Sequence, residues 1–303
     1  MSFTRAVVFG FISRRTLPVI LSMLLAFSMI SGSAHAVDKV VTNAIIHDKD
    51  KRENYPALLL AEALQHTVDD FGEFEIVPYG PLLQRKRALV ELGRGRLDVY
   101  SSATQPQWEE NTLPIYIPLR KGILGYRLFL IRKDRQEEFS QINTLKDLRK
   151  LRFGSGSQWS ITKAFKSLGF KVAGIVGYEQ LFASLNHRRF DLFPRGVNEI
   201  FHEYDGKHAQ YPDMVIEANL ALYIPLPTYF FVSPKNPRLR SRIEMGLQRM
   251  IKNGRFDALF KEFHKENLAR AHLSNRRIFR VENPSLSKQN PIGTENLWYQ
   301  LSE

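Results

Sequence analysis

A chain of 303 residues is longer than one average domain and can bury a sizeable core, so a small stapled scaffold is excluded. Hydrophobic residues at 44% and charged residues at 24% lie in the globular range, and zero Cys removes disulfides, thiolate nucleophiles, cysteine-ligated metals and a lipid-modified cysteine. The formal net charge of +12 is spread along the chain and densest at 235–280, where Glu244, Asp257, Glu262 and Glu266 interrupt the bases, a pattern of solvated helix faces and not of a nucleic-acid surface.

Residues 1–36 carry Arg5, Arg14 and Arg15, an apolar stretch at 17–30 and the small-x-small tripeptide Ala34-His35-Ala36, which together read as a signal peptide cleaved after Ala36. The stretch is shorter than the roughly 20 residues that span a bilayer. Ser13-Arg14-Arg15-Thr16-Leu17 also fits a twin-arginine signal, so Sec and twin-arginine export both stay open. Export without a lipidation cysteine predicts a soluble protein of the periplasm. The mature chain from Val37 loses three of the 43 bases and none of the 31 acids, leaving 40 against 31, a net +9.

Residues 40–46 read as an apolar strand, 47–54 as a polar loop and 55–68 as a helix, with Leu58, Leu59, Ala61, Ala63 and Leu64 at helical spacing. Strands follow at 74–77 and 97–100, on either side of a basic amphipathic helix at 82–92 that stops at Gly93. Strand alternating with helix predicts a parallel α/β sheet. Residues 101–118 are polar and then punctuated by proline, without helical period. A strand at 127–131 announces a second set of units, with helices at 159–168 and 178–185 and strands at 171–173 and 190–193. The run 220–226 leads into a strand at 228–232, and 237–266 suits one long or two short helices broken near Gly254. Beyond Leu273 the chain has Pro284, Pro291 and no period, a surface tail pinned by Leu297, Trp298 and Tyr299.

One internal echo bears on architecture. Leu92-Gly-Arg-Gly-Arg96-Leu97-Asp98-Val99-Tyr100 and Leu185-Asn-His-Arg-Arg189-Phe190-Asp191-Leu192-Phe193 share a frame of helix end, basic turn and Asp-opened strand. Each copy sits at the same place in its half, which predicts two similar lobes: 37–126 with 229–303, and 127–228, each a mostly parallel sheet flanked by helices. The strands 127–131 and 228–232 join them as a hinge, and a ligand crevice is expected at the carboxyl ends of the sheets. Asp98 and Asp191 read as structural acceptors that open buried strands, not as a catalytic pair.

With its signal peptide, the Leu-x-x-Gly-(Arg/Lys)-x-Asp pattern at 92–98 echoed at 185–191 with Arg188 in place of the Gly, Leu145-Lys-Asp-Leu148 before Phe153-Gly154-Ser155-Gly156, and Pro234-Lys-Asn-Pro237, the chain resembles extracellular solute-binding proteins of the amino-acid-binding type, family three. The resemblance spans nearly the whole mature chain and implies the two-lobed type II periplasmic binding protein fold, closure of the lobes on a small-molecule solute, and service to a membrane transporter permease of the ABC type or to a sensor. It implies neither a cofactor nor a metal, and a monomer. Where such proteins carry a Thr-Pro-Glu-Arg-like stretch whose Arg takes the α-carboxylate, this chain has Thr104-Gln105-Pro106-Gln107-Trp108; where they offer an acid to the α-ammonium, it has Arg195. A free α-amino acid is therefore not the expected ligand.

The reversed charge makes Arg195 the candidate donor to an anionic group of the solute. Ser155, Gly156 and Ser157 form a turn expected between strand and helix, where free N–H groups and hydroxyls would face an anion. Trp108 and Trp159 are candidates for stacking, Ser101, Ser102 and Thr104 for hydroxyl donation, and Arg52 and Tyr55 for contacts from the first helix. No catalytic constellation is found: His202-Glu203 lacks a second metal-binding His, and phosphate-loop and Gly-x-Ser-x-Gly motifs are absent, so the chain reads as a binding protein and not an enzyme. A cleft lyase or dehydratase on the same scaffold, similar to cyclohexadienyl dehydratase and using Glu199, is the alternative, as is an interaction protein without ligand.

Overall fold

Two sheets organise the chain. The computed structural model describes residues 37–43, 51–80 and 83–301, with the side chains of 51–54 excepted. The signal peptide and the side chain of Arg52 lie outside the described residues. The first sheet has the order β2-β1-β3-β11-β4, from β1 (Asp38–Thr42), β2 (Phe74–Pro78), β3 (Val99–Ala103), β4 (Leu113–Ile115) and β11 (Thr228–Val232). The second has the order β12-β10-β5-β8, from β5 (Tyr126–Arg132), β8 (Phe193–Gly196), β10 (Leu220–Tyr223) and β12 (Arg277–Arg280), with β9 (Met214–Ile216) also paired to β5. A separate pair, β6 (Arg152–Gly156) and β7 (Lys171–Ile175), touches the second sheet through a parallel bridge from Phe153 to Leu192.

The helix-bearing units pair in parallel as the alternation predicts: β1 with β2 and β3, and β6 with β7. The two joining strands do not. β11 runs antiparallel to β3 and β4, and β5 runs antiparallel to β8, β9 and β10, so each sheet is mixed. The first sheet is covered by the helices Lys51–Gln65, Pro237–Lys252 and Arg255–Ala271, whose Leu59, Leu60, Ile243, Leu247 and Phe256 pack with Val40, Val99 and Phe230. Gly246 lets two of these helices approach, since a Cβ there would stand 1.9 Å from the Ala63 carbonyl oxygen. The second sheet has a core on each face, one around Phe129, Phe153 and Phe165 and one around Leu128, Phe182 and Phe193.

The Asp echo is structural in both copies. Asp98 accepts the N–H of Val41 on β1 at 2.8 Å, and Asp191 accepts the N–H of Arg152 on β6 at 2.6 Å, so each ties its turn to a neighbouring strand. Three expectations are corrected. Pro106–Asn111 is a short helix with Pro at its start, inside a segment without helical period. The strand expected at 190–193 is displaced to Phe193–Gly196, because Phe190 turns into the core and Pro194 is tolerated on an edge strand. The tail does not simply run over the surface: β12 pairs in parallel with β10, so the span 229–303 assigned to the first lobe is divided between the sheets.

Candidate functional site

A cleft of about 340 Å³ opens between the sheets. Its first wall comes from Tyr100, Ser101, Ser102 and Ala103 at β3, from Thr228 at the start of β11, and from Arg85 on the helix Arg85–Arg94. Its second wall comes from Arg127 on β5, Arg195 on β8, Asn198 and Glu199 in the first turn of the helix Val197–Lys207, and Trp159, Ser160 and Ile161 at the start of the helix Ser160–Ser167. Arg120, Leu124 and Leu226 enter from the segments that connect the lobes. The walls therefore meet at strand ends and helix starts, where open α/β folds bind ligands.

Four arginines share this cleft, and they are not equivalent. Arg195 is a committed ion pair: its Nε and Nη2 donate to the two Glu203 oxygens at 2.6 and 2.5 Å, Glu199 stands 3.2 Å away, and Trp159 stacks 4.5 Å from the guanidinium. Burial alone would lower its pKa, but Glu199 and Glu203 outweigh that and hold it above the ordinary arginine value. Arg127, only 2% exposed, reaches Glu199 at 3.4 Å, and its Nε is buried with no acceptor among the described residues. Burial, opposed by Glu199 and assisted by the charge of Arg195, brings its pKa down to about 10. Arg85 donates through Nη2 to the Ala103 carbonyl at 3.0 Å and lies 5.3 Å from the Trp108 ring, while its Nε too is buried without an acceptor. Burial brings its pKa to about 10. Arg120 sits over the Tyr55 ring at 5.7 Å. Thr228 Oγ1 and Asn198 Oδ1, one on each wall, are likewise buried without hydrogen-bond partners.

Of the residues singled out in sequence, Arg195, Trp159, Ser101 and Ser102 line the cleft. Trp108 and Tyr55 are buried one layer behind, beneath Arg85 and Arg120 respectively, and the Tyr55 hydroxyl donates to the Leu119 carbonyl at 2.7 Å. Thr104 turns to Glu109. The turn at 154–157 is not an anion cradle. β6 continues through Gly156, the N–H groups of Gly154 and Ser157 donate to Leu192 and Ile175, and the Ser155 hydroxyl pairs with Thr162 at 2.7 Å. Gly156 is required by the Trp159 indole packed against it.

Arg85, Arg120, Arg127, Asn198 and Thr228 were not singled out. For Arg127 a signal existed: it is the one charged residue in Tyr126-Arg-Leu-Phe-Leu-Ile131, an otherwise apolar strand, and a charge in a buried strand needs a reason. Arg85 is hidden in a basic helix face where its neighbours Lys86 and Arg87 point outward.

No protein-family model matches the chain, and no curated protein matches it by sequence. Solved structures match by fold. The lysine-complexed binding component of an ABC transporter from Wolinella succinogenes aligns with a TM-score of 0.53 at 15% identity, over 76% of this chain and 96% of that one. A periplasmic binding protein of Salmonella typhimurium with high arginine specificity aligns with a TM-score of 0.52 at 12% identity, over 76% of this chain and 100% of that one. An ancestral amino-acid-binding protein, a precursor of cyclohexadienyl dehydratase, aligns with a TM-score of 0.50 at 16% identity, over 82% of this chain and 99% of that one. The fold is thus the two-lobed periplasmic binding fold. Among the described residues no helix is long and apolar enough to cross a membrane.

Proposed function

We propose that the chain is an exported solute-binding protein that captures a small anionic solute between its lobes and hands it to a membrane transporter or a sensor. The observation that carries this reading is the cleft itself: four guanidinium groups converge on it against one lining carboxylate, Glu199, with Glu203 behind. A cationic side chain of the kind bound by the arginine and lysine binders would meet repulsion there. Arg195, held by its two carboxylates, acts mainly to fix Trp159 and the second wall, and Arg85, Arg127 and Arg120 face the solute. Capture is favoured over turnover because Glu199 is already engaged, accepting the Gly196 N–H at 3.0 Å and standing near both Arg127 and Arg195.

A thermal-shift panel tests the reading. Small mono- and dicarboxylates are expected to raise the melting temperature, by about 2.7 kcal/mol of stabilisation at 100 times the dissociation constant, while free arginine and lysine leave it unchanged. Stabilisation by arginine or lysine, with none by carboxylates, would refute it.

A further inference from the structure

We infer that the solute has two anionic ends, one received by each lobe. This rests on the anionic-solute reading and goes a step further, from the sign of the charge to its distribution along the ligand. On the first wall the buried Nε of Arg85 has no acceptor among the described residues, and Thr228 Oγ1, also without a partner among them, belongs to the same wall. On the second wall the buried Nε of Arg127 has no acceptor among the described residues. A buried N–H without an acceptor is costly, and native proteins rarely leave one unless something else supplies the acceptor. Here such a donor stands on each wall of the cleft, on a guanidinium each time.

A single carboxylate that pairs bidentately with one of these guanidiniums leaves the donor on the other wall without an acceptor. A linear dicarboxylate satisfies both, and so does a carboxylate bearing a phosphate at its far end; the shared chemistry is a pair of separated anionic groups. The two guanidiniums also differ in support. Arg85 rests on Trp108 and has no carboxylate partner among the described residues, whereas Arg127 shares Glu199 with Arg195 through a 3.4 Å contact that is long for a hydrogen bond. An anionic end at Arg127 would take over that loosely held proton donor, and closure of the lobes would bring the second end onto Arg85.

Isothermal titration of the purified chain with succinate and glutarate, and with the chain-matched monocarboxylates butyrate and valerate, separates the cases. The expected result is at least tenfold tighter binding of a dicarboxylate than of its matched monocarboxylate. Arg85→Lys and Arg127→Lys, which keep the charge and lose the planar fork, should each weaken dicarboxylate binding about tenfold while only one of them weakens the monocarboxylate. 3-Phosphonopropionate, which carries its phosphonate at the far end of the chain, run alongside, distinguishes a phosphate-like end from a second carboxylate: tighter binding than succinate supports the phosphate source. Equal affinity for mono- and dicarboxylates, or a dicarboxylate affinity untouched by one of the two substitutions, overturns the two-ended ligand and leaves anion capture standing. Binding of neither series at 10 mM overturns both.

Discussion

Arg195 lines the cleft but directs its Nε and Nη2 donors to Glu203. Both are nearly or fully buried, and their two hydrogen bonds form a bidentate pair beneath Trp159. Removing one partner of such a pair leaves the other charge in a poorly solvated site, a loss of about 3 to 5 kcal/mol. Arg195→Ala is therefore expected to lower the urea midpoint sharply, and the double variant Arg195→Met with Glu203→Leu to recover much of the loss. An unchanged midpoint for Arg195→Ala would show that the pair contributes little. His264 supplies a second case at this scale. It is 4% exposed, packed against Tyr55 and Phe260, with both ring nitrogens unpartnered, and burial, aided by the charge of Arg120, pushes its pKa down to about 3. The unfolded chain binds this proton near pH 6.5 while the folded chain refuses it until about pH 3, so protonation favours unfolding and stability falls as pH drops through that window. The full effect is on the order of 5 kcal/mol. His264→Phe should flatten the stability profile between pH 6 and 4; a slope identical to that of the parent assigns the acid sensitivity to other groups.

At the scale of elements, hydrophobic period was informative where a segment faces one core. The helices Pro237–Lys252 and Arg255–Ala271 are separated near Gly254 as the pattern indicates, because Leu239, Ile243, Leu247 and Met250 mark one apolar face and Gly254 takes the left-handed conformation at the break. The strand Thr228–Val232, buried at every position, is legible as a continuous apolar run. Period failed where pairing, not facing, decides the structure. Arg277-Ile-Phe-Arg280 has too few apolar residues to announce a strand, yet β10 offers it a free edge and all four residues pair. The cleft was legible as a location, through the Asp echo and the α/β alternation, but only partly as a set of side chains. Ser101, Ser102 and Arg195 directly follow the echoed motif and Trp159 follows the Gly/Ser turn, whereas Arg85 and Arg120 reach the cleft from a helix and a connecting segment that no local pattern links to it. The displaced strand at Phe193–Gly196 shows the same limit: its register against Leu128 and Arg127, which places Arg195 at the site, is set by β5 and not by its own composition.

At the scale of the molecule, the two sheets communicate through a small number of segments, and the tail ties them together. Residues 119–125 and 224–227 connect the lobes, and the chain after β12 visits both: Asn283 donates to the Pro225 carbonyl at 2.8 Å, the Tyr299 N–H to the Lys121 carbonyl at 2.8 Å, and Trp298 covers Gly122, whose φ of +72° has no room for a side chain. Between these points Asn290 bonds to Tyr229 and Ser287 to Glu109 on the first-lobe side. The contacts at Pro225, Lys121 and Gly122 fall on the connecting segments and those at Tyr229 and Glu109 on the first lobe, so none of them joins one cleft wall to the other. The unmet donors on Arg85 and Arg127 stand on opposite walls, and a two-ended ligand held by both favours the closed arrangement by the free energy of the second contact. The radius of gyration from small-angle scattering is therefore expected to fall when succinate saturates the parent protein. In Arg85→Lys, at a succinate concentration that saturates the second-wall site, the fall should be smaller, because the ligand then engages one lobe only. A radius that does not change in the parent at saturation would mean that the lobes form a rigid cleft, in which case both guanidiniums must reach the ligand from where they now stand.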